Sequence, residues 1–427
     1  MRSGPTAAPA PSRRTVLAAA GLGLGLQFIG ANAFAAGTRN RFVLIICRGA
    51  ADGLSVTPPI GDANYVPLRG DLAITGDALR LDGDFGLHPQ LSAIHRMAQT
   101  GQARIAPAVA MPDRIRSHFE AQDKLENGAG HDAAVGWMNR ALASLAKGDK
   151  AEGLSVGPVA PLVLRGPVPT ASWSPGRVVE TEARLPTLIQ DLYKDDPVLS
   201  VAFGKGLQTE ATAQAAMSRL GSPDPEAQTA ADASAVESAM AQGLSPREAA
   251  RRARSMSGSD RNAARTLGQT IAGLMLQDAG ADMVAISLDG FDTHANQAGQ
   301  LATRLTYLDA LVDGLHSGLG QAWADTAVLV VTEFGRTART NGTAGTDHGA
   351  ASTALLLGGG LKPGGIIGDW PTLQEAKLYE NRDLAPTLDM RSLFKGVLAD
   401  HMGVDRRALD TTVFPDSANA PPLQTLV

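Results

Sequence analysis

Residues 283–286 read Met-Val-Ala-Ile, residues 327–331 read Ala-Val-Leu-Val-Val, and residues 353–357 read Thr-Ala-Leu-Leu-Leu. Each run is short and apolar, and polar or glycine residues end it. Runs of this kind are typical of strands that are buried on both faces of a parallel sheet. The stretch from Met283 to Gly360 therefore predicts three parallel strands of an α/β protein, with a helix between the first two.

Side chains that can bind metals or anions stand at the ends of these three runs. They are Asp289, Asp292 and His294 after the first run, Glu333 and Arg336 after the second, and Asp347 and His348 before the third. Loops beyond the carboxyl ends of parallel strands border a single crevice in an open α/β sheet. We therefore expect these side chains to form one polar, metal-binding site.

Two earlier segments add candidates to the same site. Residues 41–47, Arg-Phe-Val-Leu-Ile-Ile-Cys, read as a central strand, and Asp52 follows them in a glycine-flanked loop. Asp52 either faces the crevice or stabilises its own turn. Ser117 precedes a helical pattern, and Glu120 three positions later completes a capping box. A serine there is also suited to be a nucleophile, with Arg116 beside it for an anionic group.

The composition and the first 35 residues limit which partners and which cellular location we expect for this protein. A net charge of −5 without a long basic block argues against nucleic acid as a partner, and the single cysteine excludes an internal disulfide. Arg13 and Arg14 precede an apolar run, and Ala33-Phe34-Ala35 offers a cleavage site. We expect residues 1–35 to be a twin-arginine signal peptide. An uncleaved membrane anchor is the competing interpretation.

The remaining chain predicts one large domain. Residues 36–427 are expected to form a single α/β domain, in which a mostly parallel sheet is sandwiched between helices. From about residue 186 to residue 278 the chain is rich in alanine, glutamine, serine and charged residues. This segment predicts a helical insertion. One of its helices begins at Ser245-Pro246, where a serine N-cap is followed by proline at the first helical position.

Several motifs, in this order, resemble those of an exported bacterial family, domain of unknown function 1501. Besides the leader they are Arg48–Gly53 (RGAADG), Arg116–Phe119 (RSHF), Phe291–His294 (FDTH), Thr332–Thr337 (TEFGRT), Asp347–Gly349 (DHG) and Asp389–Ser392 (DMRS). That family is similar to the alkaline phosphatase, sulfatase and phosphoglycerate mutase superfamily. The resemblance implies an alkaline phosphatase-like core, a serine or threonine nucleophile at a helix start, and metal-binding Asp and His residues.

The resemblance implies a role for each candidate. Ser117 would attack, with His118 in the catalytic set and Arg116 or Arg336 holding the anion. The implied ligands of a divalent metal, Zn, Ca, Mg or Mn, are Asp52, Asp292, His294, Glu333, Asp347 and His348. Asp292, His294 and His348 would hold one ion, and Asp52 and Glu333 a second.

The sequence departs from the superfamily pattern in three ways, the first being that Asp52 lies several residues past the end of its strand. Asp292 and His294 are closer together than the Asp-x-x-x-His spacing, and Phe334 stands where an Asp-His pair has its histidine. Asp289 is an alternative to Asp292. Two functions therefore stay open: an exported, metal-dependent hydrolase of phosphate or sulfate esters, and a degenerate member that binds a ligand or an exported protein partner without turnover. In both, the protein is periplasmic or extracellular, and the twin-arginine translocase is its partner during export.

Overall fold

The computed structural model describes residues 39–128, 134–145, 152–157, 160–174, 209, 213, 246–277 and 280–427, with residues 246–260 as backbone only. Asn40–Val427 forms one compact unit. The predicted leader at residues 1–35 and the insertion between residues 186 and 245, apart from two helical residues, lie outside the described residues. No helix of the described part is long and apolar enough to cross a membrane.

Eight strands form the main sheet, and two short ones form a separate hairpin. In chain order the strands are β1 (Arg41–Cys47), β2 (Leu79–Arg80), β3 (Gly86–Leu87), β4 (Ala103–Ala110), β5 (Gly153–Val156), β6 (Ala171–Trp173), β7 (Met283–Leu288), β8 (Thr326–Val331), β9 (Ser352–Gly358) and β10 (Leu388–Asp389). The main sheet has the order β10-β4-β9-β8-β1-β7-β5-β6, and β2 pairs with β3.

The direction of β9 corrects one expectation from the sequence. The strand is antiparallel to both β4 and β8, whereas the other pairings in the main sheet are parallel. A fully buried apolar run carries no signal for its direction, so the parallel prediction for residues 353–357 was wrong. The reversal places the start of β9 at the edge where β1, β7 and β8 end. Asp347 and His348, which precede β9, therefore reach the same edge as the loops that follow those three strands.

Helices cover both faces of the sheet. Successive side chains of β1 alternate between two hydrophobic clusters: Val43 and Ile45 belong to one, and Leu44 and Ile46 to the other. The longer helices are α3 (Ser92–Gln99), α4 (His118–Asn127), α5 (Trp137–Leu145), α6 (Pro246–Met275), α7 (Gln297–Leu319) and α8 (Met390–Asp400); the short ones are α1 (Gly53–Val56), α2 (Tyr65–Arg69) and α9 (Arg406–Ala408). The predicted fold class, a mostly parallel sheet between helices, is confirmed.

The last helix of the predicted insertion is part of this core. Helix α6 begins at Pro246, as predicted from a proline at the first helical position. Its residues Ile271 and Met275 are fully buried in the hydrophobic cluster that contains Val43 and Ile45. Glycines allow α6 and α7 to approach closely, since a Cβ atom on Gly268 would lie 2.2 Å from the Leu311 carbonyl oxygen. The α6 end of the insertion is therefore packed on the domain.

Candidate metal centre

Three histidines and one aspartate meet at the edge where β1, β7 and β8 end. Asp292 and His294 follow β7, His348 precedes β9, and His118 is the first residue of α4. The Nε2 atom of His348 lies 3.0 Å from the Nε2 atom of His118 and 3.0 Å from that of His294. Carboxylate oxygens of Asp292 lie 3.1 Å, 3.3 Å and 3.4 Å from the Nε2 atoms of His294, His348 and His118.

Each ring has a hydrogen-bond acceptor at its other nitrogen. The Nδ1 atom of His118 lies 2.8 Å from Glu333 Oε1, and that of His294 lies 3.2 Å from Asp347 Oδ1. The Nδ1 atom of His348 lies 2.9 Å from the backbone carbonyl oxygen of Arg116. Because these oxygens accept, each Nδ1 carries the proton and each Nε2 turns its lone pair toward the other rings.

The electrostatics of the cluster agree with this arrangement. Burial would raise the pKa of Glu333, but hydrogen bonds from His118, Gln122 and the Gly49 amide lower it to about 2. The hydrogen bond to Glu333 raises the pKa of His118. Burial lowers the pKa of His348, which favours its neutral, ligating form. Glu333 is therefore an ionised acceptor at neutral pH, and it increases the basicity of the His118 ring.

The spacing of these groups is close to that of ligands around one tetrahedral metal ion. Ligand atoms about 2.0–2.1 Å from a tetrahedral zinc ion are about 3.3 Å from one another. The five separations given above, 3.0–3.4 Å, are close to this value; those from Asp292 join Oδ1 to His294 and His348 and Oδ2 to His118. His118, Asp292 and His348 also form a group compact enough to hold a metal ion. Three imidazoles with one carboxylate are ligands that favour zinc over calcium or magnesium, which prefer oxygen.

Arg336 positions Asp292 and does not face the solvent, which corrects its expected role as an anion clamp. Its side chain is fully buried and forms an ion pair with Asp292. It also donates to the carbonyl oxygens of Gly49, Ala50 and Thr346, at 2.7–2.9 Å, and to that of Phe291, at 3.4 Å. A buried guanidinium whose nitrogens are occupied in this way cannot bind a substrate anion.

Asp52 is also placed differently from the expectation, because it belongs to another buried cluster. It is 1% exposed and forms an ion pair with Arg69, which is fully buried. It also accepts hydrogen bonds from Ser55 at 2.6 Å and from Gln297. A buried carboxylate is stabilised by such a cationic partner and by hydrogen bonds, so Asp52 serves this cluster and not the histidine cluster.

The remaining predicted residues lie around the histidines. Glu333 and Asp347 lie beside the histidines, where they accept hydrogen bonds from the Nδ1 atoms of His118 and His294. Ser117 is exposed at the N-cap position of α4, where its backbone has φ −101° and ψ 122°. Its side chain forms no capping hydrogen bond, so the expected capping box is absent. Arg116 forms 2.6 Å ion pairs with Glu380 and Asp383.

Sequence reasoning missed two residues beside the cluster. Gln122, one turn after His118 on α4, donates to Glu333 at 3.0 Å, and a polar residue four positions from a histidine was the available signal. Arg382 is half-exposed, donates to the His348 carbonyl oxygen and lies 3.0 Å from Asp383. Nothing in its local sequence marks Arg382, because its contact with His348 spans 34 residues.

A family model described as "Protein of unknown function (DUF1501)" matches residues 80–413. No curated protein matches the chain by sequence.

Two solved structures are similar to this chain, with low sequence identities and low TM-scores. The C-terminal periplasmic domain of EcEptC from Escherichia coli, in complex with Zn, is 9% identical, covers 90% of this chain and 88% of its own, and has a TM-score of 0.39. Ps i-CgsB in complex with k-i-k-neocarrahexaose is 10% identical, covers 90% and 77%, and has a TM-score of 0.36. At these TM-scores neither likeness bears on the activity of this protein.

Proposed function

This chain belongs to the DUF1501 family of proteins of unknown function, and we propose that it is an exported, metal-dependent hydrolase of phosphate or sulfate esters. The observation that carries the proposal is that His118, Asp292 and His348 converge closely enough to hold one metal ion, with His294 beside them, 3.0 Å from His348. Their side chains are 24–44% exposed, so an ion and a substrate can reach them from solvent.

The surrounding residues prepare the four ligands for a divalent metal, with zinc as the preferred ion. Glu333, Asp347 and the Arg116 carbonyl oxygen hold the rings in the ligating tautomer. Arg336 holds Asp292 and keeps it ionised: burial would raise the pKa of Asp292, but the bond to Arg336 and the neighbouring charges bring it below its ordinary value. A bound zinc ion would supply Lewis-acid stabilisation of charge on an ester oxygen.

Ser117 is the proposed nucleophile. It immediately precedes the ligand His118, it is exposed, and its hydroxyl does not cap the helix that it precedes. The first amides of α4 and the helix dipole provide partial positive charge beside it, which favours an anionic ester at this place.

Arg382 is the proposed cation for the ester's charged group. Arg336 is buried, and Arg116 already pairs with two carboxylates. Arg382 pairs with one carboxylate, Asp383, but it is 44% exposed and bonds to the backbone of the ligand His348, beside the proposed metal site. A guanidinium is suited to phosphate and sulfate because its donors match two oxygens at once.

A second candidate function is the binding of a metal and a ligand without turnover. The observation that favours it is the engagement of Arg116 and Arg336, because two cations expected to hold the anion are occupied by the protein itself. In this alternative the metal site holds an anionic ligand or an exported protein partner.

A substrate screen on the zinc-loaded protein separates the two functions. We expect hydrolysis of an aryl phosphate or an aryl sulfate, loss of turnover with retained zinc in Ser117→Ala, and loss of both in His348→Ala. Ser317→Ala, near the far end of α7, is the matched control and should behave as wild type. Zinc binding without turnover on either ester class would support the binding function. Absence of zinc binding would contradict both.

Export is the part of the proposal that depends on the leader. We propose that residues 1–35 direct the protein through the twin-arginine translocase to the periplasm or beyond. Replacing both Arg13 and Arg14 with lysine should keep the protein in the cytoplasmic fraction, whereas wild type should appear in the periplasmic fraction. Equal export of both proteins would contradict this pathway.

A further inference from the structure

A cavity of about 360 Å³ lies beside the start of α7. Its lining includes Ser55, residues 71–77, His88, Gln297 and Leu301, and none of the four proposed metal ligands. This volume is within the range of small-molecule sites, about 300–1,000 Å³. The cavity is therefore large enough to bind a small molecule, and its lining residues differ from those of the proposed metal centre.

The buried part of the lining offers an unused hydrogen-bond donor. His88 is 7% exposed, and its Nδ1 atom accepts a 3.1 Å hydrogen bond from the Gln90 amide. Burial lowers the pKa of His88 to about 4, so the ring is neutral at pH 7 and its proton is on Nε2. No hydrogen bond in the described part of the chain uses this Nε2–H group.

The start of α7 adds partial positive charge to the same lining. Gln297 and Ala298 are the first residues of this 23-residue helix, and no side chain caps it. Gln297 is held in place, because it donates to Asp52 and accepts from Thr293 and Thr346. The ion pair between Asp52 and Arg69 neutralises the charge behind Ser55. A carboxylate would thus meet a donor and a helix dipole here.

The outer part of the lining is acidic and the wall beside it is apolar. Asp71 and Asp77 are exposed, whereas Leu72 and Leu301 are buried. Ile74 adds another aliphatic contact. An ammonium group would be stabilised by the two carboxylates, and a short aliphatic chain would be covered by the leucine and isoleucine side chains.

From these features we infer that the cavity binds a free α-amino acid with an aliphatic side chain. The carboxylate of the ligand meets His88 and the start of α7, its ammonium meets Asp71 and Asp77, and its side chain packs on Leu72, Ile74 and Leu301. The opposite charges of such a zwitterion match the buried and the exposed parts of the lining. This inference is independent of the proposed hydrolase activity.

Calorimetric titration of the purified protein with L-leucine tests the inference. We expect saturable binding of leucine that is weakened at least about tenfold for N-acetyl-L-leucine, which lacks the ammonium, and for L-leucinamide, which lacks the carboxylate. Glucose, a polyhydroxylated compound without charge, should not bind.

Substitutions in the exposed part of the cavity lining test the inference without disturbing the hydrophobic core. The double substitution Asp71→Asn and Asp77→Asn should weaken leucine binding at least about tenfold, because it removes only the partners of the ammonium. Asp369→Asn, an exposed aspartate that does not line the cavity, should leave the affinity unchanged. Absence of leucine binding to wild type, equal binding of the blocked derivatives, or binding of glucose alone would overturn the inference.

Discussion

The Nδ1 atom of His118 lies 2.8 Å from Oε1 of Glu333, although the two residues are 215 positions apart along the chain. This contact joins the first turn of α4 to the loop after β8. It leaves the Nε2 lone pair of His118 directed at His348 and Asp292. Glu333 was expected to be a ligand of a second metal, but this geometry makes it the residue that orients the proposed ligand His118.

Glu333→Gln should weaken zinc binding by about 10–100-fold while the fold is retained. The substitution keeps the shape of the side chain but removes the charge that supports the His118 ring. Competition against a chromophoric chelator measures the affinity, and Glu120→Gln, on the exposed side of the first turn of α4, is the control. An unchanged zinc affinity would mean that the Glu333 bond does not prepare a metal ligand.

Asp52 should matter for stability and not for metal content. Asp52→Asn leaves Arg69 as a buried charge without its ionic partner, so we expect a loss of about 3–5 kcal/mol in the free energy of unfolding. The double variant Asp52→Leu with Arg69→Met should recover much of it. Zinc stoichiometry should be the same in wild type and in the folded fraction of both variants. A loss of zinc in Asp52→Asn would restore Asp52 as a ligand.

Gly49 should be required for the position of Asp292. Its φ is +109°, and a Cβ atom at this residue would lie 2.5 Å from the Asp292 backbone nitrogen. Gly49→Ala should therefore destabilise the protein and lower the zinc affinity. Gly101 also has a positive φ, +74°, but a Cβ atom there would meet nothing within 4 Å. Gly101→Ala should cost only about 1 kcal/mol and leave zinc binding unchanged, and equal zinc affinities in both variants would contradict the prediction.

His88 should make the protein less stable as the pH falls. Because burial holds its folded pKa at about 4, below the ordinary 6.5, the unfolded chain takes up a proton first. The contribution of the neutral ring to stability is complete above pH 6.5 and is lost as the pH falls toward 4, by up to about 3 kcal/mol. His88→Asn keeps an acceptor for the Gln90 amide. Its stability, measured by urea unfolding, should fall less over this pH range than that of wild type, and parallel curves would contradict the assignment.

Much of the fold was visible in the sequence because buried strands leave a strong apolar pattern. The runs at β1, β7 and β8 were predicted, and so were the polar residues at their ends. The direction of β9 was not, since a strand that is buried on both faces reads the same in either direction. His348 was nevertheless assigned to the correct edge, and only the reversal of β9 explains why it lies there.

The sequence indicated several residues of the candidate site, but it did not indicate which residues contact one another. Asp292, His294 and His348 were recognised as a group because carboxylate and imidazole groups at strand ends are metal-binding types. The sequence could not separate His118, which converges with them, from Asp52 and Arg336, which are buried in other contacts. Burial and ion pairing between distant segments decide this, as the Arg69–Asp52 and Arg336–Asp292 pairs show.

The most direct test of the proposed metal centre is X-ray absorption spectroscopy at the zinc edge on the protein loaded with one equivalent of zinc. We predict three imidazole nitrogens and at least one oxygen at about 2.0–2.1 Å, with one nitrogen fewer in His118→Ala. An identical spectrum in His118→Ala, or a wild-type spectrum with oxygen ligands alone, would contradict it.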